Sequence, residues 1–262
     1  MAARSGSPKA GNGGDDGSVV WRVLNLLQIA AASERPLTLP EINAQLDLPK
    51  PTAHRLCMRL AEQGYLAREP GGRHLGIGPR LMSLGLDVVR NGDIGGQRHA
   101  ILESLVEAVG ETCNITMLAG DQVLYLDRVE ARWPLRLHLE PGSRVPPHCT
   151  SSGKLLLAEL SPAKRKRILD TLDLPPFTQR TITDRAKLEA ELDVIAGQGY
   201  SLDDEEFLLG LVAIAVPVRN AEGRTVAAVA CHAPGVRMDV GKALSHLPLL
   251  QDAAARIGAT IP

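Results

Sequence analysis

The polar residues of segment 49–66, PKPTAHRLCMRLAEQGYL, are spaced so that they could bind a nucleic acid. The apolar residues of this segment recur every three or four positions, which predicts a helix with one buried face. Arginine can donate two hydrogen bonds to the O6 and N7 atoms of guanine, and lysine and threonine suit phosphates or base edges. The solvent-exposed face of an ordinary helix would carry similar residues. The elements around the segment must therefore distinguish DNA binding from this alternative. The donors on its outer face are Lys50, Thr52, His54, Arg55 and Arg59.

The elements around this segment are those of a winged helix-turn-helix. Residues 19–33 have helical periodicity, and 39–46 form a shorter helix with Thr38 as its predicted N-cap. The stretch LDLP makes a tight turn before the segment, and Gly64 ends the helix. In this arrangement the second helix of the motif enters the major groove of DNA. DNA binding is therefore the favoured interpretation.

The stretch that follows, YLARE-PGG-RHLGI, is typical of two short strands joined by a glycine turn. Arg73, with Arg68 and His74, could then reach an adjacent phosphate backbone or minor groove. Residues 78–90 are predicted to form a connecting helix, which NGDIGG (91–96) breaks.

The remainder of the chain alternates blocks of helices with strands, which indicates an α+β domain with a mainly antiparallel sheet. Residues 113–129 are predicted to form a hairpin around Gly120-Asp121, and a helix begins near Ser151. Three later strands cover GYSLD, LVAIAVPVR and TVAAVACHA, and a final helix runs near 246–258.

Composition and charge agree with a nucleic-acid module attached to a second domain. The net charge is −1, yet residues 18–90 contain nine Lys or Arg against six Asp or Glu, and the later part is acidic. No apolar run reaches the roughly 18–20 residues of a membrane span. The four cysteines lie far apart and form no CxxC pair, which predicts a reduced, cytoplasmic protein.

Three stretches resemble the IclR family of bacterial transcriptional regulators. LTLPEINAQLDLPKPTAHRLCMRLAEQGYLAREPGGRHLGIGPRLMSLG resembles the N-terminal domain of that family. VPPHCTSSGKLLLAEL, and GYSLDDEEFLLGLVAIAVPVR followed by TVAAVACHAP, resemble motifs of its effector domain. Because three separated motifs occur in the right order, the resemblance is more specific than a single helix-turn-helix.

The resemblance implies an organisation and a function. Residues 1–17 would be a disordered tail, 18–78 the winged helix-turn-helix, 79–94 a linker helix and 95–262 a GAF-like effector-binding domain. The protein would be a ligand-responsive repressor or activator of a catabolic operon. It would act in the cytoplasm, without a cofactor, as a homodimer or homotetramer on a palindromic double-stranded operator. Its effector would be a small organic or aromatic carboxylic acid.

The resemblance also implies an effector site at the start of the helix near Ser151. A helix N-terminus offers free N–H groups and the positive end of a dipole, which suit a carboxylate. Hydroxyl groups add donors, and a glycine lets a ligand approach the backbone. The alternative is that Thr150, Ser151 and Ser152 only cap the helix. By motif position the site residues in this region are Val145, Thr150, Ser151, Ser152 and Gly153.

The strands would complete this site. The positions that match the family motif are Asp203, Leu211, Ala213, Ala230 and His232. Related proteins often carry polar residues near the two alanines, so the wall here should be more apolar, which suggests an aromatic or longer acid. The alternative for His232 is a buried histidine that makes its hydrogen bonds within the core and contacts no ligand.

The sequence also has features of two other classes of protein, an enzyme or zinc protein and an interaction scaffold. His148-Cys149 and Cys231-His232 could belong to a catalytic nucleophile or a zinc site, but either needs further groups to converge on it. We therefore expect no enzyme and no metal. An interaction scaffold whose winged helix binds protein would lack the steep salt dependence of DNA binding.

Overall fold

The computed structural model describes residues 19–261 except residues 34, 47, 70, 71, 92 and 134–138. The predicted tail, 1–17, lies outside the described residues. The chain divides into two compact units between Gly85 and Leu86. Within the described residues, no helix is long and apolar enough to cross a membrane.

The N-terminal unit contains three helices and a small antiparallel sheet with strand order β1-β3-β2. Its core is formed by buried apolar residues of all three helices and the strands, including Leu26, Ile42 and Cys57. The elements are α1 (Val19–Ala32), β1 (Leu37–Thr38), α2 (Leu39–Leu46), α3 (Lys50–Glu62), β2 (Leu66–Arg68) and β3 (His74–Ile77).

Local signals fix the ends of α2 and α3. The Thr38 N–H donates to Glu41 Oε2 at 2.7 Å, and the Glu41 N–H donates to Thr38 Oγ1 at 3.4 Å, which is a capping box. Pro51 lies in the first turn of α3, where a missing N–H costs no helical hydrogen bond. Gly64 adopts a φ of 75° just after α3, a conformation that glycine adopts without strain.

The connecting helix ends at Asn91, at the start of the stretch 91–96 where the break is predicted, and a separate helix begins at Asp93. Helix α4 covers Pro79–Asn91 and helix α5 covers Asp93–Val109, so Gly95 and Gly96 lie within a helix. A glycine costs a helix only about 1 kcal/mol. The later turns of α5 bury Leu102 and other apolar residues in the core, and this packing outweighs that cost.

The second unit contains a six-stranded antiparallel sheet with strand order β6-β5-β4-β9-β8-β7. Its strands are β4 (Thr112–Ala119), β5 (Gln122–Val129), β6 (Arg144–Val145), β7 (Ser201–Asp204), β8 (Leu211–Arg219) and β9 (Thr225–Pro234). Its remaining helices are α6 (Ser151–Ala158), α7 (Pro162–Leu169), α8 (Arg185–Gln198), α9 (Val240–Ser245) and α10 (Leu247–Gly258). The predicted α+β fold, a helix-turn-helix domain followed by a sheet domain, is confirmed.

The two faces of the sheet carry different side chains. Val212, Ile214 and Val216 of β8 pack in the larger core with α5 and α10. The alternate residue Ala215 lies on the opposite face with α6 and α8. Small residues on that face let α6 approach closely, and all eight residues of α6 are buried.

Candidate nucleic-acid interface and ligand cavity

Helix α3 has one buried and one exposed side. Ala53 and Cys57 are fully buried in the helical core. On the other side, the side chains of Arg55 and Arg59 are exposed and make no hydrogen bond or ion pair with any described residue, so both guanidinium groups remain available to a partner. The residues predicted to contact DNA from α3 are exposed at Lys50, His54, Arg55 and Arg59 and half-buried at Thr52.

The β2–β3 hairpin adds cations beside this helix. Arg73 is exposed just before β3 begins. Arg68 on β2 is also exposed, and its guanidinium group contacts the sulfur of Met58 on α3. Helix and hairpin therefore present basic side chains on one unit, as binding to a phosphate backbone requires.

A small cavity lies in the second unit between the start of α6 and the face of the sheet that α6 covers. Its volume is about 20 Å³, which is room for about one water molecule. Nine of the ten residues predicted for the effector site line it: Val145, Thr150, Ser151, Ser152, Asp203, Leu211, Ala213, Ala230 and His232. Four others line it that the sequence analysis missed: Asn114, Val123, Tyr125 and Phe207.

Gly153 is the predicted site residue that does not line the cavity. A Cβ atom on Gly153 would lie 2.3 Å from the Cα and from the carbonyl oxygen of Pro147. The absence of a side chain therefore lets the first turn of α6 pack against the chain before it, rather than letting a ligand approach the backbone.

Thr150 is the N-cap of α6, but its side chain does not cap the helix. Its hydroxyl donates to the carbonyl oxygen of Pro146 at 2.8 Å. The first helical hydrogen bond runs from the Lys154 N–H to the Thr150 carbonyl at 2.9 Å. The N–H groups of Ser151 and Ser152 lie in the first turn, before that bond, and therefore have no acceptor within the helix. They are donors beside the cavity that suit an anion.

His232 and Asn114 carry polar atoms that are not satisfied. The side-chain amide of Asn114 donates to His232 Nδ1 at 3.3 Å, which puts the imidazole proton on Nε2. Neither His232 Nε2 nor Asn114 Oδ1 has a hydrogen-bond partner among the described residues. Burial, with the charge of Arg128 as a smaller cause, lowers the pKa of His232 to about 3. The two residues thus offer one donor and one acceptor at the cavity wall.

Two other titratable groups that line the cavity, Asp203 and Tyr125, have raised pKa values. Burial raises the pKa of Asp203 to about 7, although its Oδ1 accepts the N–H groups of Glu206 at 2.8 Å and Phe207 at 3.3 Å. Burial also raises the pKa of Tyr125 to about 12, so its hydroxyl can donate at neutral pH. Asn114 and Tyr125 thus add two polar side chains to the residues that the sequence predicted for this wall.

A larger groove of about 420 Å³ lies on the other side of the sheet, against α5 and α10. Its polar groups already have partners within the chain. Arg98 Nε donates to Thr260 Oγ1 at 2.9 Å, and His99 Nδ1 lies 3.0 Å from the carboxylate of Asp127. The small cavity, with its unsatisfied donor and acceptor, is therefore the better candidate for a specific ligand.

The His148-Cys149 pair lacks the reactive thiolate that a cysteine nucleophile needs. Burial raises the pKa of the Cys149 thiol to about 12, so it carries no thiolate at neutral pH. The Nε2 atom of the neighbouring His148 lies 3.1 Å from the carbonyl oxygen of Pro175. Among the described residues, no three His, Cys, Asp or Glu side chains converge as metal ligands would.

Comparisons with known proteins match both units. A family model described as the IclR helix-turn-helix domain matches residues 19–70. A second, described as the bacterial transcriptional regulator IclR C-terminal domain, matches residues 86–259. The "Probable transcriptional regulator SauR" of Cupriavidus necator is 43% identical over 233 residues, covering 89% of this chain and 92% of that protein.

Solved structures give the same result. The Thermotoga maritima IclR structure aligns with a TM-score of 0.61 at 25% identity, over 91% of this chain and 96% of its own. The inducer-binding domain of an Acinetobacter PobR double mutant, solved as a complex with 3-hydroxybenzoic acid, aligns with a TM-score of 0.58 at 31% identity. That alignment covers 62% of this chain and 96% of the PobR domain.

Proposed function

The chain belongs to the IclR family of bacterial transcriptional regulators, and on that premise we propose that it is a ligand-responsive regulator of a catabolic operon. Its effector is a small organic or aromatic carboxylic acid that binds in the cavity at the start of α6. The observation that carries this proposal is the pair of buried, unsatisfied polar atoms, His232 Nε2 and Asn114 Oδ1, on two residues that line that cavity.

The carboxylate would be held by the first turn of α6. Free N–H groups at a helix N-terminus and the hydroxyl groups of Ser151 and Ser152 are donors to an anion. Neutral His232 would donate through Nε2, and Asp203 would lie beside the ligand in its protonated form. A complex of a relative's inducer-binding domain with 3-hydroxybenzoic acid supports a carboxylic acid as the chemical class.

Residues Lys50, Thr52, His54, Arg55 and Arg59 of α3 would read the major groove, with Arg73 at the backbone beside it. A palindromic operator has two equivalent half-sites, so the protein would act as a homodimer or homotetramer. The ligand would act by binding more tightly to one DNA-binding geometry than to another.

Arg55→Ala is expected to weaken operator binding by about 1–3 kcal/mol if Arg55 donates two hydrogen bonds to a guanine. The operator would first be selected from a random pool of duplexes, and affinity would then be measured by gel shift at fixed salt. Lys187→Ala is the matched control, because Lys187 is an exposed cation of the other unit. Equal affinities for Arg55→Ala and the unmutated protein would show that Arg55 is not one of the residues that contact the bases of the operator.

A carboxylic acid that fits the cavity is expected to raise the melting temperature of the full-length protein. At 100 times its dissociation constant it should stabilise the protein by about 2.7 kcal/mol, a shift of a few degrees. The panel would run from acetate and pyruvate to benzoate and 3-hydroxybenzoate. Benzamide is the matched neutral control.

Asn114→Leu should abolish the shift, because it removes the donor to His232 and the unsatisfied acceptor. If no acid shifts the melting temperature, the proposed effector class is wrong. A shift that persists in Asn114→Leu would place the ligand elsewhere.

A further inference from the structure

The cavity at the start of α6 is closed by the short segment between β7 and β8, residues 205–210. Phe207 is the one residue of this segment whose side chain lines the cavity. Its ring packs on Val123, Tyr125 and Val145 of the neighbouring strands. Removing or turning this ring would therefore enlarge the cavity directly.

The other walls cannot easily give way. Most of them belong to β4, β5, β8 and β9, which are interior strands paired on both sides, and to α6, which is buried throughout. The edge strands β6 and β7 contribute Val145 and Asp203, and both of these side chains are buried. With a volume of about 20 Å³, the cavity admits no carboxylic acid unless one wall moves. Leu208 and Leu209, which follow Phe207, are exposed and do not line the cavity, so Phe207 is the side chain of this segment whose movement changes the cavity volume.

Contacts on either side of Phe207 define which part of the segment can move. Glu206 is anchored, because its carboxylate pairs with the buried Lys154 and its carbonyl accepts from Thr181 Oγ1 at 2.7 Å. The backbone of Phe207 is held by its N–H bond to Asp203, and the turn after it is held by the bonds from the Leu211 N–H to the Leu208 carbonyl and from the Gly210 N–H to Glu205 Oε2. The moving part is therefore the ring of Phe207, which can rotate about its side-chain bonds and whose neighbour is the ring of Phe177, with its centroid 5.6 Å away.

We propose that Phe207 sets the size of the effector, so that the native cavity takes a short aliphatic carboxylic acid and excludes aromatic acids. A short acid needs only a small rotation of the ring, and its carboxylate and any hydroxyl or keto group match the dense polar wall. An aromatic acid would need the space that the ring of Phe207 occupies. This inference rests on the proposed function, since it narrows the chemical class of the same effector.

The test compares dissociation constants of acetate, pyruvate, benzoate and 3-hydroxybenzoate by calorimetry on the full-length protein. Hydrophobic pockets discriminate single groups by about 10–200-fold, so the unmutated protein should prefer the best short acid over the best aromatic acid by at least tenfold. Phe207→Ala should remove or reverse that preference. Phe207→Leu, which keeps an apolar wall, should have an intermediate effect and serves if the alanine variant does not fold.

Leu208→Ala is the matched control, because Leu208 adjoins Phe207 but does not line the cavity. It should leave the preference unchanged. The inference is overturned if the unmutated protein binds aromatic acids as tightly as short ones, or if Phe207→Ala and Phe207→Leu leave the ratio unaltered. If none of the acids binds to the unmutated protein or to either Phe207 variant, the proposed function itself fails.

Discussion

Lys154→Ala is expected to destabilise the second unit by about 3–5 kcal/mol, the range for breaking a buried ion pair by removing one partner. Lys154 is 1% exposed, its ammonium group pairs with Glu206, and Glu191 Oε1 lies 3.6 Å away. Burial already raises the pKa of Glu206, and Lys154 opposes that shift. Without the ammonium group, the Glu206 carboxylate would be buried without its counter-charge.

The measurement is urea unfolding of the full-length protein, followed by tryptophan fluorescence. The chain has two tryptophans, one in each unit, so Trp21→Phe as a background leaves Trp133 as the reporter of the second unit. The double variant Lys154→Met with Glu206→Gln should recover much of the loss, because neutral replacements of similar volume remove both buried charges. A loss no larger than that of the exposed control Lys187→Ala would show that the pair is not structural.

The second large effect concerns pH and Asp203. Its pKa is near 3.9 in an unfolded chain and about 7 in the folded protein. Between these values the unfolded chain has released the proton and the folded protein has kept it, so stability falls as pH rises and is constant above the folded pKa. For this single group the fall amounts to roughly 2–3 kcal/mol between about pH 5 and pH 8.

Asp203→Asn should remove that slope, because an amide does not ionise and its oxygen can still accept the N–H groups of Glu206 and Phe207. Glu206, Lys154 and Tyr125 also surround this carboxyl, so the quantity to measure is the difference between the two proteins at each pH. Urea unfolding at several pH values provides it. A difference that does not change with pH would show that Asp203 titrates normally.

The same proton links pH to effector binding. A carboxylate that binds beside Asp203 favours the protonated form of Asp203. The protein should therefore bind the acid with higher affinity below pH 7 than above it.

The DNA-binding surface of α3 and the cavity at the start of α6 differ in how well the sequence could predict them. The exposed cations of α3 follow from helical periodicity, because the buried Ala53 and Cys57 fix which side is outside. The hydroxyl residues at the start of α6 were predicted from the family motif. Asn114 was missed because its role depends on the pairing of β4 with β9, which brings it to His232 from 118 positions away in the chain. Periodicity along one strand carries no such information.

Gly153 and Phe207 illustrate the same limit. A glycine at the start of a helix is compatible with a ligand contact or with close packing, and only the position of Pro147 decides for packing. Phe207 lies in an acidic stretch that reads as a solvated loop, yet its ring contacts Phe177 and the strands β5 and β6. The sequence predicted that the connecting helix ends at NGDIGG, but not that α5 begins as early as Asp93, because packing of α5 in the core outweighs the weak helix propensity of two glycines.

The central claim is that an acid bound in the α6 cavity changes the affinity of the protein for DNA. The most direct measurement is the dissociation constant of the full-length protein for its selected operator, at fixed salt, with and without a saturating acid that stabilises the protein. Coupling of 1–3 kcal/mol predicts a change of about 5–150-fold. An acid that binds and stabilises the protein, yet leaves the affinity for the operator unchanged, would contradict the account.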